Sequence, residues 1–289
     1  MEEEGGQSAL LISSRFSVSI ALAHTSTEEP MEGLYMGVSF FVLLALYVLW
    51  AARSAGYLRG PKPLSRAQRT VLARYGLHYQ RLRPAQKPRY ERIVSIFVND
   101  KEWVGAGIVV TEEMKVMIGA CAAQLLHGFE DVELMHFDRI VVYPDSYRSH
   151  RSGRLQQGEV RPRVGMIIIS WHDFLQGYTH SGDAHNVGLH EMAHAIWFEN
   201  TIINGEDHFL HPPFLQKWNE LATIEIANIH AGEHGFFRDY AGTNDAEFFA
   251  VAVEYLFERP LEFRDARPEL YAHLCGLLKQ DPATVLSLN

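Results

Sequence analysis

The chain has 289 residues, 47% of them hydrophobic, with 26 Lys and Arg against 35 Asp and Glu for a formal net charge of −9. That length and apolar content sustain a packed core and exclude a disordered chain. The acidic balance gives no electrostatic ground for nucleic-acid binding, although residues 53–92 are locally basic, and two cysteines, Cys121 and Cys275, supply neither a disulfide framework nor a cysteine metal cluster.

Residues 1–33 read as an N-terminal tail without ordered structure. Residues 34–52, Leu-Tyr-Met-Gly-Val-Ser-Phe-Phe-Val-Leu-Leu-Ala-Leu-Tyr-Val-Leu-Trp-Ala-Ala, carry no charge and have the length of one transmembrane helix, with Tyr35, Tyr47 and Trp50 toward its ends as interfacial aromatics. A buried core helix is the alternative. Arg53, Arg59, Lys62, Arg66 and Arg69 follow the span and Glu28, Glu29 and Glu32 precede it, so the positive-inside rule predicts a single-pass membrane protein with its C-terminal bulk in the cytoplasm. A secretory signal over residues 1–23 competes, but its Met-Glu-Glu-Glu start is acidic where such signals are basic.

Residues 53–64, with Gly56, Gly60, Pro61 and Pro63, read as a basic linker to a domain over residues 65–285. Ser65 is placed to cap a helix through about Tyr75, residues 87–99 have apolar positions at helical spacing, and Thr111 with Glu112 and Glu113 opens a helix to about His127, halted by Gly128. Arg139–Pro144 and Val164–Ser170 are β-branched runs that predict strands, with a polar hairpin or loop over Ser149–Arg163 between them. A helix around residues 187–197, a Gly/Asp/His loop over Asn204–Pro213, a helix from Pro213 to about His230, a Gly-containing loop, and a helix from Asp245 to Phe257 stopped by Pro260 complete an α+β pattern of helices, a small sheet and a helical lobe.

The densest signal is Val187-Gly-Leu-His-Glu-Met-Ala-His-Ala-Ile. On a helix, His190 and His194 share one face at a spacing zinc accepts, and Glu191, turned away from both, can reach a water on the metal as general base. Chance occurrence is the plain alternative in a chain with 15 histidines. The apolar surroundings, Val187, Leu189, Met192, Ala193, Ala195, Ile196 and Trp197, weigh against it, because they predict a buried helix whose imidazoles need partners. His185, His208, His211, His230 and His234 lack such spacing and read as surface or loop histidines.

A catalytic zinc takes a third protein ligand. Metzincins set a Gly and a His three and six residues beyond the second motif histidine, places held here by Trp197 and Asn200. A later glutamate is the main alternative, and Glu199, Glu220, Glu225, Glu233, Glu247, Glu254 and Glu258 are all candidates on composition. Glu247 and Glu254 share one face of an otherwise apolar helix, so at least one buried carboxylate there needs a cation. For Glu247 a capping box with Asn244 is an equal alternative.

Several blocks in order resemble the Mlc titration factor A family of glucose-regulated zinc metallopeptidases: Thr111-Glu-Glu-Met-Lys-Val-Met-Ile, Phe137-Asp-Arg-Ile-Val-Val-Tyr-Pro, Ile169-Ser-Trp, Asn186-Val-Gly-Leu-His-Glu-Met-Ala-His, and Arg238-Asp-Tyr-Ala through Asp245-Ala-Glu-Phe-Phe-Ala-Val. The resemblance covers residues 65–262. It implies a gluzincin-like, zincin-type domain with one zinc on His190, His194 and Glu247, Glu191 as general base, and Tyr240 pointing into the site, where its phenol can stabilise an oxyanion. It implies hydrolysis of a peptide or protein substrate. The chain departs from the family founder in its apolar N-terminal span and in Ala195-Ile-Trp-Phe-Glu-Asn. The rival class is a zinc-stabilised binding protein that sequesters a transcriptional regulator or another protein partner at the membrane, with little turnover.

Overall fold

The computed structural model describes residues 29–54, 62–130, 134–149, 153–180, 182–202, 209–233 and 235–287, and the chain divides into two units, Met1–Gly60 and Pro61–Asn289. Most of the expected tail (residues 1–28), most of the expected linker (residues 55–61), His208 and His234 lie outside the described residues.

In the first unit, α1 (Glu29–Ser54) is a 26-residue helix. Its stretch Leu34–Ala51 is long and apolar enough to cross a membrane and is unburied, matching the roughly 30 Å of a hydrocarbon core at 1.5 Å per residue.

The second unit opens on local signals that the sequence carries in full. Ser65 and Gln68 close a reciprocal capping box on α2 (Arg66–Tyr75). Then come α3 (Leu77–Arg81), α4 (Lys87–Asp100), strand β1 (Glu102–Gly105) and α5 (Glu112–Leu126), the last capped by Thr111 Oγ1 accepting from Met114 N at 3.2 Å. Strands β2 (Arg139–Tyr143), β3 (Tyr147–Arg148), β4 (Leu155–Gln156), β5 (Gly158–Arg161) and β6 (Met166–Ser170) follow. β3 and β4 form a short antiparallel pair, and the main sheet runs β1-β2-β6-β5. β1, β2 and β6 are parallel, while β5 is antiparallel to β6, and β1 and β5 form the two edges.

Ile140, Val142, Ile167 and Ile169 enter the main core, whereas Val141 and Ile168 meet Tyr147 in a small cluster on the other face. Burial on both faces explains why β2 and β6 read as continuous apolar runs rather than as alternations. The segment expected as a polar hairpin or loop supplies β4 and β5. In β5 only Val160 is buried, so the strand carries no apolar signature of its own.

β6 passes directly into α6 (Trp171–Thr179), where Ser170 is the N-cap. Helices α7 (Val187–Ile202) and α8 (Pro212–His230), a 3-10 turn over Asp239–Thr243, α9 (Asp245–Glu258), α10 (Pro260–Ala266), α11 (Pro268–Leu278) and α12 (Pro282–Ser287) complete the unit. α10, α11 and α12 each start at a proline, which ends one helix and is tolerated in the first turn of the next.

α7 packs against α5, α6, the β5–β6 end of the sheet and α9. That enclosure is why Leu189, Met192, Ala193, Ala195 and Ile196 are all buried. The closest approach is at Gly188, where an added Cβ would stand 2.6 Å from the Phe174 ring and 2.8 Å from Cys121 Sγ, both of them core atoms. Gly188→Ala is therefore expected to overpack the α5–α6–α7 junction and cost about 1–3 kcal/mol. Urea unfolding should show a lower midpoint at constant slope, and an unchanged midpoint would mean that this contact is slack.

Candidate metal centre

Asn186 starts α7, its Oδ1 accepting from Leu189 N at 3.0 Å. His190 and His194 then fall one turn apart on the same side, facing α9. From the first turn of α9, Glu247 Oε2 lies 3.1 Å from His190 Nε2 and 3.2 Å from His194 Nε2, and the two Nε2 atoms are 3.1 Å apart. These three donor atoms form the one His/Cys/Asp/Glu cluster of metal-binding geometry among the described residues. A tetrahedral zinc with donor bonds of about 2.0–2.1 Å requires donors about 3.3 Å apart. The triangle is within a few tenths of an ångström of that spacing, and nitrogen and carboxylate donors suit the ion, so the residues fit a zinc.

The second ring nitrogen of each histidine differs in its surroundings. His190 Nδ1 is 2.8 Å from Glu254 Oε1, so it donates there and leaves the Nε2 lone pair for the donor triangle. His194 Nδ1 is buried without a hydrogen-bond partner. Glu254 is 1% exposed, its other oxygen accepts from Asn186 N at 2.6 Å, and Arg238 Nη2 donates to Oε1 at 2.5 Å. Burial acts to raise the Glu254 carboxyl, and His190 and Arg238 outweigh it, holding it below its ordinary value.

With the protein's own groups alone, burial pulls His190 down while Glu247 and Glu254 push it further the other way, to about 10. Glu247 is driven far below the carboxylate range, because the two imidazoles override the effect of burial. His194, dominated by burial, is lowered. Two carboxylates, Glu247 and Glu254, thus set negative charge beside the imidazoles.

Glu191 is buried, its Oε2 has no hydrogen-bond partner, and burial raises it to about 8. Its side chain fills the space in front of Gly158 on β5, where a Cβ would meet Glu191 Oε1 at 2.4 Å. Tyr240, on the 3-10 turn, is half exposed, with its ring centroid 6.1 Å from that of His190. Burial and the Glu247 carboxylate raise its phenol. All of these groups line one cleft of about 1100 Å³, walled by residues 155–160 on one side and by Phe198, His185 and Ala246 on others.

The structure thus brings His190, Glu191, His194, Tyr240 and Glu247 to one place. Asn244 caps α9, its Oδ1 accepting from Ala246 N and Glu247 N, but the Glu247 carboxylate faces the histidines. Glu199 accepts from His136 N, Glu225 pairs with Arg267, and Glu258 holds Gly182 N, Ala184 N and Asn186 Nδ2, so these acids serve elsewhere. His185, His211 and His230 are exposed and outside the donor triangle. Arg238 and Asn186 stand in the resembling blocks without a role of their own, and Gly158 stands in none. Their roles come from contacts between segments, and only the helix start after Asn186 left a local trace.

Two imidazoles from one helix and a carboxylate from another, beside a buried acid in an open cleft, define a candidate metal centre. The chain belongs to the glucose-regulated metallo-peptidase M90 family, whose model matches residues 50–279. It is similar to Mlc titration factor A of Yersinia pestis and of Yersinia pseudotuberculosis, 26% identical over 243 residues covering 75% of this chain and 88% of each relative. It is also similar to an uncharacterized protein of Synechocystis, 26% identical over 209 residues covering 67% of this chain and 76% of that protein.

Because Asn244 and Glu247 act at the same helix start, their variants separate capping from metal holding. Asn244→Ala should cost about 1 kcal/mol of stability and leave zinc affinity intact. Glu247→Gln should lower zinc affinity by about tenfold or more. Chelator-competition titration checks both, with Glu254→Gln alongside. Full affinity in Glu247→Gln with collapse in Glu254→Gln would move the third donor to Glu254.

Proposed function

We propose that this protein is a membrane-anchored zinc peptidase with a gluzincin-like, zincin-type domain. It holds one zinc per chain on His190, His194 and Glu247, with Glu191 as general base and Tyr240 as a donor to the developing oxyanion. The observation that carries the reading is the 3.1–3.2 Å donor triangle standing next to the buried, unpartnered Glu191 oxygen. When bound, zinc supplies a Lewis acid for the scissile carbonyl and lowers the pKa of water toward 7. Glu191, buried beside the donor triangle with one oxygen free of any protein partner, is placed to take a proton from the attacking water and deliver it to the leaving amine nitrogen. Glu254 orients His190, and the Tyr240 hydroxyl donates to the carbonyl oxygen as it gains charge. β5 is one edge of the sheet and borders the cleft, which suits a substrate backbone lying extended beside it.

The anchoring part of the proposal rests on Leu34–Ala51, and the cytoplasmic orientation on the basic residues after it. A second reading, capture of a regulatory protein partner with little turnover, draws support from relatives named Mlc titration factor A. The two readings differ at Glu191, which a binding module does not need.

Against a peptide library, the zinc-loaded full-length protein should show hydrolysis that Glu191→Gln reduces by about 10²–10⁴-fold while zinc content stays at one per chain. Equal activity in both would remove Glu191 as the base, and none in either beside tight capture of a regulator would favour the binding reading. For the anchor, carbonate washing should leave the protein in the membrane fraction and a C-terminal reporter should be active in the cytoplasm. Release by carbonate, or a reporter active only outside, would remove the anchoring half.

A further inference from the structure

The group that organises the back of the donor triangle is itself held by one guanidinium. Glu254 Oε1 is shared between His190 Nδ1 at 2.8 Å and Arg238 Nη2 at 2.5 Å. The other terminal nitrogen of Arg238, Nη1, donates to the carbonyl of Ala184 in the turn just ahead of α7. Arg238 also immediately precedes the 3-10 turn Asp239–Thr243, and so stands two residues before Tyr240. One side chain therefore touches the carboxylate behind His190, the entry to the helix that bears His190 and His194, and, through its own backbone, the turn that bears Tyr240. Among the described residues it is the one Lys or Arg paired with Glu254.

We infer that Arg238 is a positioning residue that sets the orientation of His190 through Glu254 and ties the Tyr240 turn to the same point. This rests on the proposed zinc site. The argument is geometric: a carboxylate with a rotatable side chain holds an imidazole in one orientation only if it is held itself. On its two oxygens, Glu254 has Asn186 N on one and Arg238 with His190 on the other. Removal of the guanidinium frees Oε1 to rotate and leaves His190 Nε2 poorly aimed at the other two donors. Lysine cannot replace it, because a single ammonium cannot keep the two-pronged geometry on Glu254 and on the Ala184 carbonyl. The Arg238–Glu254 pair acts as one unit, so removing either member should have nearly the effect of removing both.

The test uses full-length protein and zinc itself, with affinity read by chelator competition and folding by circular dichroism and the thermal midpoint of the zinc-free protein. Wild type should bind one zinc per chain. Arg238→Met should bind about tenfold or more weakly, the size of loss known for groups that orient ligands. Arg238→Lys should fall between the two. Glu254→Gln combined with Arg238→Met should bind no more weakly than the worse single variant, a non-additivity that a general loss of stability would not produce. Arg238→Met with wild-type affinity, or losses that multiply in the double variant, would overturn the inference and leave the zinc reading standing. If Arg238→Met does not fold, Arg238→Lys decides: full affinity overturns the inference and a fall supports it. A wild-type protein that holds no zinc would overturn the zinc reading, and the inference with it.

Discussion

The second unit depends on how it satisfies the buried carboxylate of Glu254. An ionised group 1% exposed costs several kcal/mol unless it is paired and hydrogen-bonded. Here both oxygens are engaged, by Asn186 N, His190 Nδ1 and Arg238 Nη2. The acceptor belongs to α9, and its donors belong to α7, the residue that caps α7, and the residue ahead of the 3-10 turn. One buried charge therefore fixes the relation of three segments. Glu247 lies two turns earlier on the same helix, about 10 Å along its axis, so the placement of Glu254 also aims Glu247 at the histidines.

That junction asks for tight backbone approach elsewhere. α7 is enclosed by helices and sheet, and two glycines make room for it in different ways. Gly188 lets the helix itself come against Phe174 and Cys121. Gly158 leaves space for a side chain, since the Glu191 carboxylate occupies the volume a Cβ at residue 158 would take. The edge strand β5 is thereby held close over the motif helix, and the wall of the cleft and the position of Glu191 are set by the same contact.

Much of this was legible where the determinant is local. The Ser65 cap, Thr111 with its acidic neighbours, the i, i+4 histidines, and the helix from Asp245 are short-range patterns, and the structure contains each of them. β1, β5 and α6 were not anticipated, because their residues make structure through pairing or packing across the chain rather than through periodicity. The helices after Pro260 were likewise unread. Glu247 could not be told from Glu254 on spacing, since the choice depends on how α9 lies against α7, across 53 residues of sequence from His194. Arg238 stands in one of the resembling blocks, but nothing local in the sequence gives it a role. Its three connections exist only once the chain is folded.

The environment of Glu191 bears most directly on what such a centre is for. A closed structural metal site satisfies its acids internally, because an unpaired buried carboxylate is expensive. Glu191 instead keeps one oxygen without a protein partner, at the edge of a cleft large enough for a chain segment. A binding module would gain stability by replacing this residue with an amide or an apolar side chain. The retained cost is therefore the feature of the site that fits the hydrolytic reading and has no role in the binding one.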